Sequence, residues 1–375
     1  MSDGVRAGGW LAMALDLCGA LSLYPACTIF AVVIPEFFDD ITQYASLSVV
    51  GMAKNVGKTV CLRALLQHYR RQDRASQLAV TSIGVDGEST DALFKNAKPE
   101  LDFYPGMIVQ TSEQHYLRRR LSAEILDISR ETTACGRLVT AKVLTPGKLM
   151  LSGYAYTQGL KRYISLAHQE GAATAIIDGA LSRMSLASPF VSEAMVLCTG
   201  AALSKNMNEL VSKTRLQYTL MNLPLLSQSP KAGLAGKLAM LDAGVYGITP
   251  EGGIRDLGIP SLLRLDAHLD KFKPFYAPGS FLYVSGMLND SFLKFLSAQA
   301  VRPDLIVSDF TKLFISAQPY SAFLRGGSRL WVLQQPVVLG ICVNPVSPDG
   351  YVLDSSELRG RMSDALGREV YDILA

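Results

Sequence analysis

The chain has 375 residues, enough for one large or two modest domains with full hydrophobic cores. Apolar residues make up 49% and charged residues 18%, with a mean hydropathy of +0.21, a composition that excludes a disordered chain and suits a buried parallel sheet. A formal charge of +3, with no long basic run, is too small to imply a nucleic-acid surface.

The first forty-five residues are apolar from Trp10 to Ile34, broken by Asp16, Gly19 and Pro25 and preceded by Arg6 alone. The run nearly has the length of a bilayer span, but its internal aspartate and proline and weak basic flank argue against one. It is expected as an N-terminal extension over 1–45, either a helix packed on the following domain or a non-native or poorly ordered segment, with a membrane anchor as the lesser alternative. A cytoplasmic protein is expected.

The stretch 47–66, LSVVGMAKNVGKTVCLRALL, organises the rest of the chain. An apolar strand leads into a loop bounded by Gly51 and Gly57, and Lys58-Thr59 opens an amphipathic helix. Glycines let the backbone turn and close its N–H groups around an anion at the helix start. The loop residues Gly51, Lys54, Asn55, Val56, Gly57, Lys58, Thr59 and Val60 are therefore expected to surround phosphates. Lys58 would reach the β- and γ-phosphates and the Thr59 hydroxyl would bind Mg²⁺. Five residues, not four, separate the two glycines, so the loop is one residue longer than the usual motif.

The next strand, Leu78 to Ile83, is followed by Asp86 and Glu88; Asp86 is the first choice and Glu88 the second for a carboxylate near Mg²⁺, with a plain acidic turn as the alternative. Between Pro99 and Thr145 the pattern predicts a strand at 107–110, a helix begun by a Thr111/Gln114 capping box and carrying Leu117, Leu121, Ile125 and Leu126, and a strand at 137–144. Arg118-Arg119-Arg120 reads as a solvated face. A strand at 148–151 then leads to a helix at 158–170.

In ATAIIDGALSR, residues 173–183, a hydrophobic strand ends in Asp178, at the sheet edge that carries the phosphate loop. Asp178 is expected to hold Mg²⁺ through water or to orient the nucleophile; a turn aspartate is the alternative. Ser182 and Arg183 come next. The strand 195–198 runs into the small residues Thr199 to Ala202, which favour tight strand-to-helix packing, and then a helix with Lys205 and Asn206. PLLSQSPKAGLAGK, from 224, reads as a linker. Beyond it, strands at 281–285, 305–307 and 337–343 alternate with helices, and Asp309, Thr311, Lys312 and Asn344 at strand ends are candidates for a second ligand or partner surface.

These readings give an α/β fold: a nucleotide-binding domain over 46–223 with a mostly parallel sheet flanked by helices, a linker-like segment at 224–243 and a C-terminal α/β part at 244–375. Six dispersed cysteines with no C-x-x-C pair read as reduced core residues, and four scattered histidines make a dedicated zinc site improbable.

The loop spacing resembles dethiobiotin synthetase and related P-loop ATPases. Lys54 lies one position from the extra signature lysine of the deviant P-loops, so that role is not carried over. Taken together, SVVGMAKNVGKT, TSIGVDGE, TAIIDGALSR and CTGAALSKNM resemble the P-loop ATPase subunit of the reactivating factor for the adenosylcobalamin-dependent lysine 5,6-aminomutase and ornithine aminomutase. The likeness runs from Leu47 to the C-terminus and is strongest over 47–210. It implies a P-loop NTPase fold, ATP and Mg²⁺ as cofactors, Lys58 and Asp178 as catalytic residues, and ATP-driven release of damaged cobalamin alongside a MutS-like ATPase subunit. The alternatives are an ATP-dependent ligase of the dethiobiotin synthetase type and a nucleotide-dependent binding module. The missing N-K-x-D base-reading motif leans towards ATP over GTP.

Overall fold

Continuous apolar strands need cover on both faces, and Ser46–Gly51 and Ala194–Gly200 have it: every residue in both is buried. The computed structural model describes residues 34–84, 100–180, 188–189 and 191–374, which fall in one unit. Nine strands form the larger sheet, in the order Tyr371–Asp372, Val337–Asn344, Ala194–Gly200, Ser46–Gly51, Thr174–Ala180, Leu78–Ser82, Ile108–Ser112, Gly136–Val143 and Ala123–Thr133. The first seven run parallel and the last two are added antiparallel.

Alternate residues of Ser46–Gly51 feed different cores. Leu47 and Val49 join Cys61, Leu62, Leu65 and Leu66 of the helix Lys58–Arg71 on one face. Val50 joins Leu210 of the helix Met207–Met221 and Leu358 and Met362 of the helix Ser355–Leu366 on the other. This is an α/β fold in which helices flank a mostly parallel sheet.

A second sheet of five strands, Ile254–Asp256, Val245–Ile248, Phe281–Val284, Asp304–Val307 and Leu330–Val332, has its first two pairings antiparallel and its last two parallel. Its Leu282, Leu305 and Val307 belong to the same apolar cluster as Val50, Met195 and Leu197 of the large sheet. The expected 244–375 part therefore divides between two sheets, because Val337–Asn344 returns to pair with Ala194–Gly200. Nor is the expected linker loose: Leu226 and Leu238 are fully buried, and the segment makes short helical turns at Leu226–Gln228, Ala232–Leu234 and Ala235–Ala239.

The region after Thr111 also departs from expectation. The helix is only Glu113–Leu117, and Ser112 caps it by accepting the His115 N–H, whereas Thr111 donates its hydroxyl to the Met150 carbonyl. Ala123–Thr133 is an edge strand. The Leu117, Leu121, Ile125 spacing mimics a helical stripe, but Leu117 is 80% and Ile125 47% exposed, and only Leu121, half-buried, packs against a core. Arg119 lies over the Tyr116 ring and Arg120 pairs with Glu100. The apolar run 10–33, and Asp86, Glu88, Ser182 and Arg183, lie outside the described residues. Among those described, no helix is long and apolar enough to cross a membrane.

Candidate functional site

The loop 52–57 leaves the carboxyl end of Ser46–Gly51 and returns as the helix Lys58–Arg71. It is anchored at both ends. Met52 donates its N–H to the Cys198 carbonyl at 2.9 Å, and the Cys61 N–H bonds the Gly57 carbonyl at 2.9 Å. Two residues take the left-handed conformation, Asn55 at φ 61° and Gly57 at φ 92°. Asparagine tolerates that region, but position 57 is restricted twice: a Cβ there would also lie 2.1 Å from Ile373 Cδ1. Gly57 provides no side-chain cap, so the first N–H groups of a fourteen-residue helix are left to an anion or solvent.

Gly51 has a different reason. A Cβ there would sit 2.7 Å from Cγ and Cδ of Lys58 and 2.8 Å from Val56 Cγ2. The missing side chain lets Lys58 fold its stem back over the strand end. Its Nζ comes to 3.4 Å from Asp178 Oδ1, with the two side chains 20% and 23% exposed. Asp178 is held from both sides, since its strand pairs Asp178 with Val49 and with Ser82, and its carbonyl accepts the Ile83 N–H at 3.0 Å. The structure thus brings together Gly51, Gly57, Lys58 and Asp178. Val56 is buried, Lys58, Thr59 and Val60 are half-buried on the first helical turn, and Lys54 and Asn55 are exposed on the loop.

The loop has further supports. Asn344, expected at a second surface, belongs here: its Nδ2 donates to the Asn55 carbonyl at 3.2 Å and its Oδ1 accepts the Val346 N–H. Gly200 permits this, because a Cβ on it would fall 2.2 Å from the Asn344 carbonyl oxygen. The small residues after Cys198 thus serve strand packing. Beneath the loop, Cys61 and Cys342 approach to 3.8 Å, and Cys198 pairs with Cys342 across neighbouring strands. Hydrogen bonding to Cys198 and then burial hold the Cys342 thiol well above its ordinary range, which gives the loop an uncharged floor. Asn344, Ile373 and the three thiols carried no local sequence signal tying them to the loop, because they reach it only through the strand order.

Of the other strand-end candidates, Asp309 has a structural explanation. Asp309 is 1% exposed, and its oxygens accept from the Ser188 hydroxyl at 2.7 Å and from the Thr311 N–H at 2.8 Å.

Chemically, the loop offers an anion the N-terminus of a helix and a lysine, beside a carboxylate and a threonine hydroxyl suited to a hard cation. No protein-family model matches this chain, and comparison with curated proteins and with solved structures gives no match. The fold and site define an α/β protein whose glycine-bounded loop brings a lysine to an aspartate at the carboxyl edge of the sheet.

Proposed function

We propose that this chain is a P-loop ATPase that binds Mg-ATP at the loop 51–60. The observation that carries the reading is the convergence of Lys58 and Asp178 over a glycine-cleared helix start, with Nζ and Oδ1 3.4 Å apart. The residues suit the group. The uncapped helix N-terminus and Lys58 favour phosphate oxygens, and Thr59 Oγ1 and the Asp178 carboxylate are oxygen donors of the kind Mg²⁺ takes. Mg-ATP, when bound, supplies the transferable phosphoryl group and the divalent charge. Lys58 contributes a fixed positive charge, and the aspartate, with acceptor capacity beyond its contact with Lys58, orients the cation's water shell or the nucleophile.

The resemblance of four segments to the aminomutase reactivating factor supports the finer reading: ATP-driven exchange of damaged cobalamin in an adenosylcobalamin-dependent amino acid aminomutase, with a MutS-like ATPase subunit as partner. The five-residue loop favours one alternative, a ligase of the dethiobiotin synthetase type.

The test has two arms. Calorimetric titration with Mg-ATP should show one site in the wild type, and Lys58→Ala should weaken binding or turnover by about 10²–10³-fold while the protein stays folded. Unchanged affinity and turnover would overturn the nucleotide reading. In the second arm, cobalamin-inactivated aminomutase is mixed with the partner subunit, ATP and fresh adenosylcobalamin, with and without this chain. Recovery only in its presence supports reactivation; equal recovery, with ATP bound at the loop, would put the ligase reading first.

A further inference from the structure

The amino-terminal edge of the second sheet's parallel strands opens onto a cavity of about 330 Å³, at the opposite end of those strands from Asp309. Phe281 and Asp304 begin two strands, Arg329 precedes a third, and Trp331 lies within it. Three cations line the cavity, Lys231, Arg302 and Arg329, against one carboxylate, Asp304. That carboxylate is committed: Oδ1 accepts the Arg329 N–H at 2.8 Å and Oδ2 accepts Trp331 Nε1 at 2.9 Å.

The cations are held without neutralisation. Lys231 Nζ donates to the Pro250 carbonyl, Arg302 Nε donates to the Gln299 carbonyl at 3.1 Å, and the Arg329 guanidinium lies 5.8 Å from the centre of the Trp331 ring. None of the three forms an ion pair with a carboxylate among the described residues; Glu251, near Lys231, feels its charge only at a distance. Three positive side chains against one carboxylate, whose charge its hydrogen bonds leave in place, give a net positive field.

One further feature points to a ligand. Ser280 lines the cavity at 1% exposure, and its hydroxyl is buried with no hydrogen-bond partner; such a group is costly unless something reaches it. Gly326, at φ −75°, has a backbone that any residue adopts. A Cβ there would lie 1.7 Å from Arg302 Nη1, the free end of a flexible side chain that can move aside, so the contact records close packing of the guanidinium against this turn and no more.

We propose that this cavity binds a small phosphate ester, with Arg302, Arg329 and Lys231 holding the phosphoryl oxygens and the Ser280 hydroxyl as a further donor. Guanidinium groups match phosphate in shape and charge, and the cavity is of a size for a metabolite. The site is separate from the loop 51–60 and does not depend on the reading of that loop.

The experiment uses the full chain carrying Lys58→Ala, so that the loop lysine does not contribute. Calorimetric titration with inorganic pyrophosphate and with glycerol 3-phosphate should show saturable binding, weakened about tenfold by Arg329→Gln and again by Arg302→Gln. Lys237→Gln, which changes an exposed lysine outside the cavity, should leave it unchanged. Arg329 is exposed, so its variant tests the site even where loss of Arg302 disturbs folding. No saturable binding of either probe, or affinity indifferent to Arg329→Gln, would overturn the proposal. Sedimentation with phosphatidate vesicles in the absence of binding to the soluble esters would assign the cavity to a lipid headgroup and overturn it equally.

Discussion

Both sheets place an aspartate near the carboxyl end of a parallel strand, and the two meet opposite fates. Asp178 is 23% exposed and contacts Lys58 at 3.4 Å, whereas Asp309 is 1% exposed and divides its oxygens between Ser188 and the Thr311 N–H. A strand-end carboxylate is therefore not a site in itself. What distinguishes Asp178 is a neighbour brought to it by glycine clearance, with acceptor capacity left over; Asp309 spends its capacity holding the segment at Ser188 to the second sheet. The first arrangement suits chemistry and the second suits stability.

The sharpest way to break this comparison is to neutralise each carboxylate in turn. If the loop binds Mg-ATP as proposed, Asp178→Asn should retain ATP affinity and lose hydrolysis by about 10²-fold or more, because Lys58 and the loop backbone would still hold the phosphates while the orienting charge would be gone. Binding by calorimetry and single-turnover hydrolysis separate the two effects. Equal hydrolysis in variant and wild type would make Asp178 as structural as Asp309.

Asp309→Ala should do the reverse. Removing the buried acceptor of the Thr311 N–H and the Ser188 hydroxyl should cost about 1–3 kcal/mol of unfolding free energy in urea, with ATP affinity unchanged. A loss of ATP affinity larger than the loss of stability would show that Asp309 serves the loop after all.

The difference between the two aspartates is only half legible in the sequence. Local order suffices for the loop, since strand, glycine-bounded turn and Gly57-Lys58-Thr59 succeed one another in 46–71, and a hydrophobic run ending in Asp178 marks the same sheet edge. What supports the loop is not legible. The bond from Asn344 to the Asn55 carbonyl spans 289 residues, and it exists because Val337–Asn344 is laid beside Ala194–Gly200, a choice of strand order that no local pattern encodes. Burial is equally hidden: Asp309 lies just beyond the end of its strand and Asp178 just before the end of its own, and only packing distinguishes them. The edge strand Ala123–Thr133 escapes the pattern for the related reason that Leu117, Leu121 and Ile125 keep helical spacing while facing solvent or lying half-covered.

The smallest expected effect sharpens the comparison within a single helix. The N-terminus of Lys58–Arg71 is uncapped, while its last turn is tied down by Asp39, whose Oδ1 lies 2.9 Å from Gln72 Nε2 and 2.8 Å from His68 Nε2. The Gln72 hydrogen bond first, and then that of His68, hold the Asp39 carboxyl below its ordinary value of 3.8. The lowered value fixes the sign. The unfolded chain takes up the proton at higher pH than the folded one, so the stabilisation is fully present above pH 3.8 and is lost as pH falls through the lower folded value. Asp39 is 57% exposed, and solvent screening limits the contribution to roughly 0.5 kcal/mol or less. Urea unfolding of wild type and Asp39→Asn should therefore differ by that small amount at pH 6, and the difference should shrink as pH is lowered below 3.8. Nucleotide affinity should be the same in both, because the clamp lies at the far end of the helix from Lys58. An Asp39→Asn protein that keeps full stability but binds ATP more weakly would show that the clamped and open ends of this helix are coupled.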